Sequence, residues 1–206
     1  MSTADALRQE LGRKLRAAQV EQRLPSVSAS VFRRGEVVWQ DSVGLADVEA
    51  GRITSPDTQY RIGSITKTFT AVCVMQLRDA GELSLDDPLT EFIPESAHAP
   101  TLGRMLAHAS GLQREPPGEI WETLQAPSRE ELVLRTADAE QLLAPGSWWH
   151  YSNLAFALLG EVVARKTGGT WEEALRERVL DPLGLDRTTP AAEEPAARGY
   201  LVEPYS

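Results

Sequence analysis

The chain of 206 residues has a single cysteine, only three histidines and no long apolar run. With Cys73 alone no internal disulfide can form, and its place in an apolar helical stretch predicts a small core residue, not a reactive thiol. The histidines, His98, His108 and His150, lack metal-ligand spacing, so no metal and no other cofactor is predicted. No stretch approaches the roughly 20 apolar residues that cross a bilayer.

An excess of positive charge is also missing. The chain carries 21 Lys and Arg against 30 Asp and Glu, a formal net charge of −9. Nucleic-acid surfaces need clustered cations, so a nucleic-acid partner is not expected. The first 21 residues are polar and charged with leucines at helical spacing, which predicts an amphipathic helix and no signal peptide. The sequence therefore predicts a cytoplasmic protein without a membrane span.

Strand signals are confined to the first quarter of the chain. Residues 26–31 and 37–43 alternate polar and apolar side chains, and the turn-like residues 33–36 join them, which predicts a β-hairpin. Residues 44–57 are expected to form a loop. A two-stranded hairpin is not stable alone, and no clear later strand follows, since residues 201–205 offer at most the beginning of one.

From residue 64 onward the pattern is helical. A long helix is expected from about Ser64 to Ala80, with Gly81 ending it and a buried face formed by Ile65, Phe69, Val72 and Met75. The opposite side is also apolar or small, which favours a central helix. Further on, Ser-Arg-Glu-Glu at 128–131 and Thr-Trp-Glu-Glu at 170–173 are typical of capping boxes, and residues 154–167 predict an apolar helix.

Ser64 and Lys67 form a Ser-x-x-Lys motif at the start of the long helix. This spacing places both side chains on one face, so the lysine is a candidate base for the serine hydroxyl. The free amides at the helix start make the Ser64 N–H a candidate oxyanion donor. The structural alternative is a serine that only caps the helix, which is far more common than a catalytic one.

Tyr151 and Asn153 form a second candidate motif, Tyr-x-Asn, just before the apolar helix. A phenol near an ammonium has a lowered pKa and can carry a proton, while the Asn153 amide can bind Lys67 and a substrate carbonyl. Alternatively, Trp148, Trp149 and Tyr151 are core aromatics and Asn153 is a helix cap.

The third segment, residues 106–112, reads Leu-Ala-His-Ala-Ser-Gly-Leu. His108 is more often structural in such a setting and is not assigned to catalysis. Ser110 lacks a Gly-x-Ser-x-Gly context and is not a predicted nucleophile.

Together these motifs resemble the serine β-lactamase and penicillin-binding-protein family, closest to its class C-like branch of lactamases, D-Ala-D-Ala carboxypeptidases, D-aminopeptidases and esterases. Residues 60–67, 106–112, 145–153 and 181–185 occur in the order and spacing of that family. The resemblance extends from about residue 24 to 189.

The resemblance implies an α+β fold, in which an α/β sandwich accompanies an all-helical subdomain, the β-lactamase/transpeptidase-like arrangement. It implies Ser64 as the acylated nucleophile, Lys67 as its proton partner and Tyr151 as the tyrosine of the class C-like branch. Asn153 would contact substrate and lysine. The implied substrate is a small molecule or peptide with an ester, amide or β-lactam carbonyl.

The family's third motif, Lys-Thr-Gly or His-x-Gly on a later strand, is missing. Lys166-Thr167-Gly168 matches the Lys-Thr-Gly motif in sequence, but it lies at the end of a predicted helix. We therefore expect one β-lactamase-related domain over 1–206 that lacks its later strands. Within it we expect a helix and hairpin over about 1–63, the nucleophile helix and helical part over about 64–189, and a linker or the start of a missing remainder over 190–206.

Three functions remain open from the sequence. The first is a serine hydrolase that forms an acyl-enzyme on Ser64. The second is a non-enzymatic relative, either a penicillin-binding sensor without turnover or a silent scaffold. The third is a helical interaction module, which predicts no covalent chemistry. Neither the substrate among β-lactams, D-amino-acid peptides and esters nor the oligomeric state can be read from the residues.

Overall fold

A computed structural model describes residues 3–123 and 125–200 of the chain. The chain forms two compact units. The first comprises the residues up to Ile62 together with those from Arg187 onward, and the second runs from Gly63 to Asp186. Each unit has its own secondary structure, and the residues of the predicted site all belong to the second.

The first unit contains one long helix and a small antiparallel sheet. Helix α1 spans Thr3–Glu21, and the sheet has the order β1 (Ser26–Arg33), β2 (Glu36–Asp47), β3 (Arg52–Ile53). The predicted amphipathic helix and hairpin are confirmed. The hairpin turn places Arg34 and Gly35 at φ values of 55° and 82°, a pair of left-handed residues that suits the twist of two antiparallel strands.

The predicted loop over residues 44–57 is wrong at residues 44–47 and 52–53, which lie in strands. Strand β2 continues through Gly44 to Asp47 and then pairs with β3, with Leu45 opposite Ile53. Gly44 has a φ of 95°, and a Cβ there would lie 2.2 Å from the Pro25 carbonyl oxygen. The glycine marks a close backbone approach within a strand and not the end of that strand.

Within the first unit, residues 194–198 contact the segment that contains the sheet. Gln59 forms a parallel bridge with Ala196, and its backbone N–H donates to the Pro195 carbonyl at 2.8 Å. The Arg198 N–H donates to the Ala46 carbonyl at 2.8 Å, and Arg52 forms an ion pair with Glu194. The strand beginning expected at residues 201–205 lies outside the described residues.

In the described residues of the second unit the regular elements are helices and helical turns, and two isolated β-bridges, Pro88 with Thr101 and Leu112 with Gln141, join its loops. Both predicted capping boxes are confirmed, at Ser128 with Glu131 and at Thr170 with Glu173. The elements are a 3₁₀ turn at Gly63–Ile65, α2 (Thr66–Asp79), α3 (Leu89–Phe92), α4 (Leu102–Leu106), α5 (Ile120–Thr123), α6 (Arg129–Arg135), a 3₁₀ turn at Thr136–Asp138, α7 (Asn153–Thr167), α8 (Trp171–Leu175) and a π-helical turn at Arg176–Leu180.

Helices α2 and α7 pack together at the centre of this unit. The α7 residues buried in the core lie on several sides of the helix, as expected of a central helix: Leu154, Leu158, Leu159, Val162 and Val163. None of the helices in the described ranges is long and apolar enough to cross a membrane.

The predicted buried face of α2 is wrong for two of its four residues, whereas Phe69 packs against the core and Met75 is half-buried. Ile65 and Val72 are 59% and 43% exposed, while the buried residues of α2 are Thr70, Cys73, Val74 and Leu77. The true face is displaced by about one residue, or about 100° around the helix. Both sides of α2 carry apolar or small residues, so the periodicity did not distinguish between them.

Candidate active site

Ser64 lies in the 3₁₀ turn that leads directly into α2, and its side chain is exposed. The N-cap position of α2 is Ile65, and no side chain caps the helix there. This removes the alternative in which Ser64 serves as an ordinary cap. Lys67 lies one turn further on, half-buried, and its Nζ donates to Ser64 Oγ at 3.2 Å.

The Tyr-x-Asn segment meets the same serine from the start of α7. Tyr151 OH donates to Ser64 Oγ at 2.6 Å, and Asn153 Oδ1 accepts from Lys67 Nζ at 2.6 Å. The N-cap of α7 is Ser152, whose Oγ accepts from the Ala155 N–H at 3.0 Å. Asn153 is therefore not the helix cap, and its side chain is available to Lys67.

A neighbouring loop holds this segment in place. The Asn153 and Leu154 N–H groups donate to the Arg114 carbonyl at 2.6 and 3.1 Å, and the Ser152 hydroxyl donates to the Gln113 carbonyl at 2.7 Å. The first amides of a helix have no partner within it, so these bonds satisfy groups that water would otherwise cover. They fix the start of α7 against the loop that precedes Pro116.

Two hydrogen bonds lower the pKa of the Tyr151 phenol. The larger effect comes from Lys67 and the second from Ser64, because both stabilise the phenolate. The Lys67 ammonium also lies 4.7 Å from the centroid of the Tyr151 ring. In its neutral form the phenol donates to Ser64, whereas in its ionised form the same contact allows Ser64 to donate to the phenolate.

His108 packs against the tyrosine ring. Its imidazole stacks on Tyr151 with the ring centroids 4.4 Å apart, and its Nδ1 accepts from the Ser152 N–H at 3.2 Å. Burial, and secondly the nearby Lys67 charge, lower the pKa of His108 and thereby favour the neutral ring. A neutral histidine that accepts through Nδ1 orients Tyr151 by packing.

Sequence reasoning missed Glu115 as a residue of this site. Its carboxylate oxygens accept from Asn153 Nδ2 at 2.8 and 3.0 Å, and its side chain is only 19% exposed. The two residues are 38 positions apart, and no local spacing rule connects them. The available signal was a carboxylate in the polar segment next to the Leu-Ala-His-Ala-Ser-Gly-Leu motif.

The structure also locates the residues that were set aside. Ser110 is fully buried, and its Oγ accepts from the Leu112 N–H. Lys166 and Thr167 end α7, and Gly168 follows with a φ of 76°, so this Lys-Thr-Gly lies at a helix end and not on a strand. The described residues contain no group of three His, Cys, Asp or Glu arranged to hold a metal ion.

The tryptophans beside the site are not core residues. Trp148 and Trp149 are 74% and 68% exposed, and the Trp149 ring lies edge-on to His108 with centroids 5.9 Å apart. The alternative that treats this stretch as buried aromatic core is therefore wrong for both tryptophans.

A family model described as Beta-lactamase matches residues 8–205. The chain belongs to the beta-lactamase family. The fold class expected from the sequence is confirmed: it is the β-lactamase/transpeptidase-like fold, here with a three-stranded sheet and a helical unit.

Three similar proteins illustrate the range of names within the family. Esterase EstB from Burkholderia gladioli is 38% identical over 184 residues, which cover 80% of this chain and 47% of that protein. Penicillin-binding protein 4 from Amycolatopsis lactamdurans is 32% identical over 86% of this chain and 48% of its own length. The octameric penicillin-binding protein homologue from Pyrococcus abyssi superposes with a TM-score of 0.84 at 29% identity, over 95% of this chain and 48% of that one.

The chain thus spans about half the length of the curated relatives that it matches. Membership of the family supports a general class of activity, that of the serine hydrolases.

Proposed function

We propose that the protein is a serine hydrolase in which Ser64 is acylated by an ester, amide or β-lactam carbonyl. One observation carries this proposal. Ser64 Oγ has a lysine ammonium and a tyrosine phenol within hydrogen-bond distance, at 3.2 and 2.6 Å. A serine with two proton-transfer groups in contact fits nucleophilic catalysis, whereas a capping serine would contact backbone amides.

In the proposed reaction Tyr151, as phenolate, takes the Ser64 proton while Oγ bonds to the substrate carbonyl carbon. The tetrahedral intermediate then collapses, and the phenol returns the proton to the departing alkoxide or amine. Water attacks the resulting acyl-enzyme in the same way and regenerates Ser64. The Ser64 N–H is the proposed oxyanion donor.

Lys67 supports both half-reactions through its positive charge. Its ammonium stabilises the phenolate form of Tyr151, and its contact with Ser64 Oγ stabilises negative charge that develops on that oxygen. Asn153 holds Lys67 through Oδ1 and is the proposed substrate-binding residue.

The names of the relatives support the substrate range without narrowing it to one class. One similar protein is named an esterase and another a penicillin-binding protein. We propose a small-molecule or peptide substrate with no nucleic-acid partner.

The test is steady-state hydrolysis of p-nitrophenyl butyrate and of benzylpenicillin by the full-length protein and by its Ser64→Ala variant. We expect hydrolysis of at least one substrate and a loss of at least a thousandfold in the variant. Equal rates for the two proteins would overturn the proposal. A Ser64-dependent adduct without turnover would instead support the penicillin-binding sensor, and no reaction with either compound would favour a scaffold.

A further inference from the structure

Glu115 and Lys67 contact opposite ends of the same amide. The Oδ1 end of Asn153 accepts from the Lys67 ammonium at 2.6 Å. The Nδ2 end donates to both oxygens of Glu115, at 2.8 and 3.0 Å. Both contacts involve a charged partner, and such hydrogen bonds are stronger than neutral ones.

These two charges fix which way the amide faces. If the side chain turned over, its NH₂ group would face an ammonium and its carbonyl oxygen would face a carboxylate. Neither pair can form a hydrogen bond, because Lys has no acceptor and an ionised Glu has no donor. Asn153 therefore has one favourable orientation, with its acceptor on Lys67 and its donor on Glu115.

The carboxylate is well supported in this position. Its side chain is 19% exposed, and Arg114 Nε lies 3.3 Å from the Glu115 Oε1 atom. The Arg114 carbonyl also accepts from the Asn153 N–H at 2.6 Å. The same loop thus holds both the backbone and the side chain of Asn153.

This arrangement bears on how Asn153 can bind substrate. The two oxygens of one carboxylate lie in nearly the same direction from Nδ2, so they share one N–H and leave the other N–H free for a substrate oxygen. A substrate carbonyl that accepts from this second N–H meets the negative charge of Glu115, which repels the carbonyl oxygen and weakens that hydrogen bond.

We propose that Glu115 is a positioning residue that holds the Oδ1 atom of Asn153 on Lys67, so that an amide group in the acyl chain of an ester gives no rate advantage at this site. This inference rests on the proposed function and narrows its substrate class. Substrates that need an asparagine N–H for an acylamido carbonyl gain little from Asn153 while Glu115 is present.

The experiment compares two esters of matched acyl length, phenyl pentanoate and phenyl N-acetylglycinate, by phenol release. The proteins are the full-length wild type, Glu115→Ala, Glu115→Gln and the control Glu122→Ala. Glu122 is an exposed glutamate of α5, so its removal changes the net charge equally. Each kcat/KM is divided by the rate constant of that ester with hydroxide, which corrects for the different intrinsic reactivity of the two esters.

In the wild type the corrected kcat/KM values of the two esters should agree within about threefold. In Glu115→Ala we expect the corrected kcat/KM of phenyl N-acetylglycinate, divided by that of phenyl pentanoate, to rise roughly tenfold, which is the effect of one hydrogen bond. The kcat for phenyl pentanoate should fall about tenfold with little change in KM, because Lys67 loses its fixed acceptor. Glu115→Gln should restore much of this kcat, since its Oε1 can still accept from Asn153 Nδ2, and Glu122→Ala should match the wild type.

A second readout does not need turnover. The side-chain N–H signals of Asn153 in a ¹H–¹⁵N spectrum should move upfield in Glu115→Ala and stay in Glu122→Ala. An unchanged Asn153 signal, or an unchanged ester ratio in Glu115→Ala, would overturn the role of Glu115 while Ser64-dependent hydrolysis persists. If instead Ser64→Ala hydrolyses both esters as fast as wild type, the proposed function fails, and the Asn153 spectrum still decides whether Glu115 holds the amide.

Discussion

Replacing Tyr151 by phenylalanine separates proton transfer from simple contact at Ser64. The substitution removes only the hydroxyl that lies 2.6 Å from Ser64 Oγ. The ring remains available for stacking on His108, whose centroid lies 4.4 Å away, so the fold around it should persist. Any large kinetic effect then belongs to the hydroxyl.

The two possible roles of that hydroxyl predict different losses. A hydrogen bond that only orients Ser64 contributes about 1 kcal/mol, or up to roughly tenfold in rate. A general base contributes about 10²- to 10⁴-fold, equivalent to about 3–5 kcal/mol of barrier. We therefore expect the acylation rate of Tyr151→Phe to fall at least a hundredfold.

The assay is the pre-steady-state burst of p-nitrophenol from an activated ester, measured across pH. In the wild type the acylation rate should rise with pH through the pKa of Tyr151, because the phenolate is the base, and that pKa lies below the ordinary value of tyrosine. The rise should vanish in Tyr151→Phe. A variant that acylates within threefold of wild type with the same pH profile would refute the reasoning.

Two further predictions concern the second unit. Burial raises the pKa of Glu161, but the hydrogen bonds from Arg129 and Arg165 outweigh this effect, so the pKa is lowered in the folded protein. The ionised carboxylate therefore stabilises the fold above the ordinary glutamate pKa, and this stabilisation is lost as the pH falls through the pKa of the folded state. Glu161→Gln should therefore lower the free energy of unfolding in urea by about 1–3 kcal/mol at pH 7 and by less near pH 3, and an equal loss at both pH values would contradict this. Cys73 is fully buried, and burial raises the pKa of its thiol. A disulfide reagent should therefore label Cys73 only after denaturation, and rapid labelling of the native protein would contradict its burial.

Local signals in the sequence predicted much of the fold. The hairpin, the two capping boxes and the apolar helix α7 each depend on residues within a few positions of one another, and the structure has all of them. The errors arose where the deciding contact is distant. Gly44 stays in a strand because Pro25 approaches it, and the buried face of α2 depends on which side α7 covers.

The candidate site shows the same contrast between local and distant contacts. Ser64 and Lys67 are one helical turn apart, so the sequence alone predicts their contact. Tyr151 and Asn153 lie more than eighty positions away, and only the resemblance to a known family brought them together with Ser64. Glu115 was missed because its partner is Asn153, and neither local periodicity nor a short motif connects a loop carboxylate to the first residue of a later helix.

Acylation of Ser64 would be visible in the mass of the intact protein. The full-length protein would be mixed with benzylpenicillin or an activated ester, quenched in acid within seconds and mapped by peptide digestion. We predict one added acyl group on the peptide that contains Ser64 and none on Ser64→Ala. An acyl group on any other residue, or an equal adduct on the alanine variant, would contradict it.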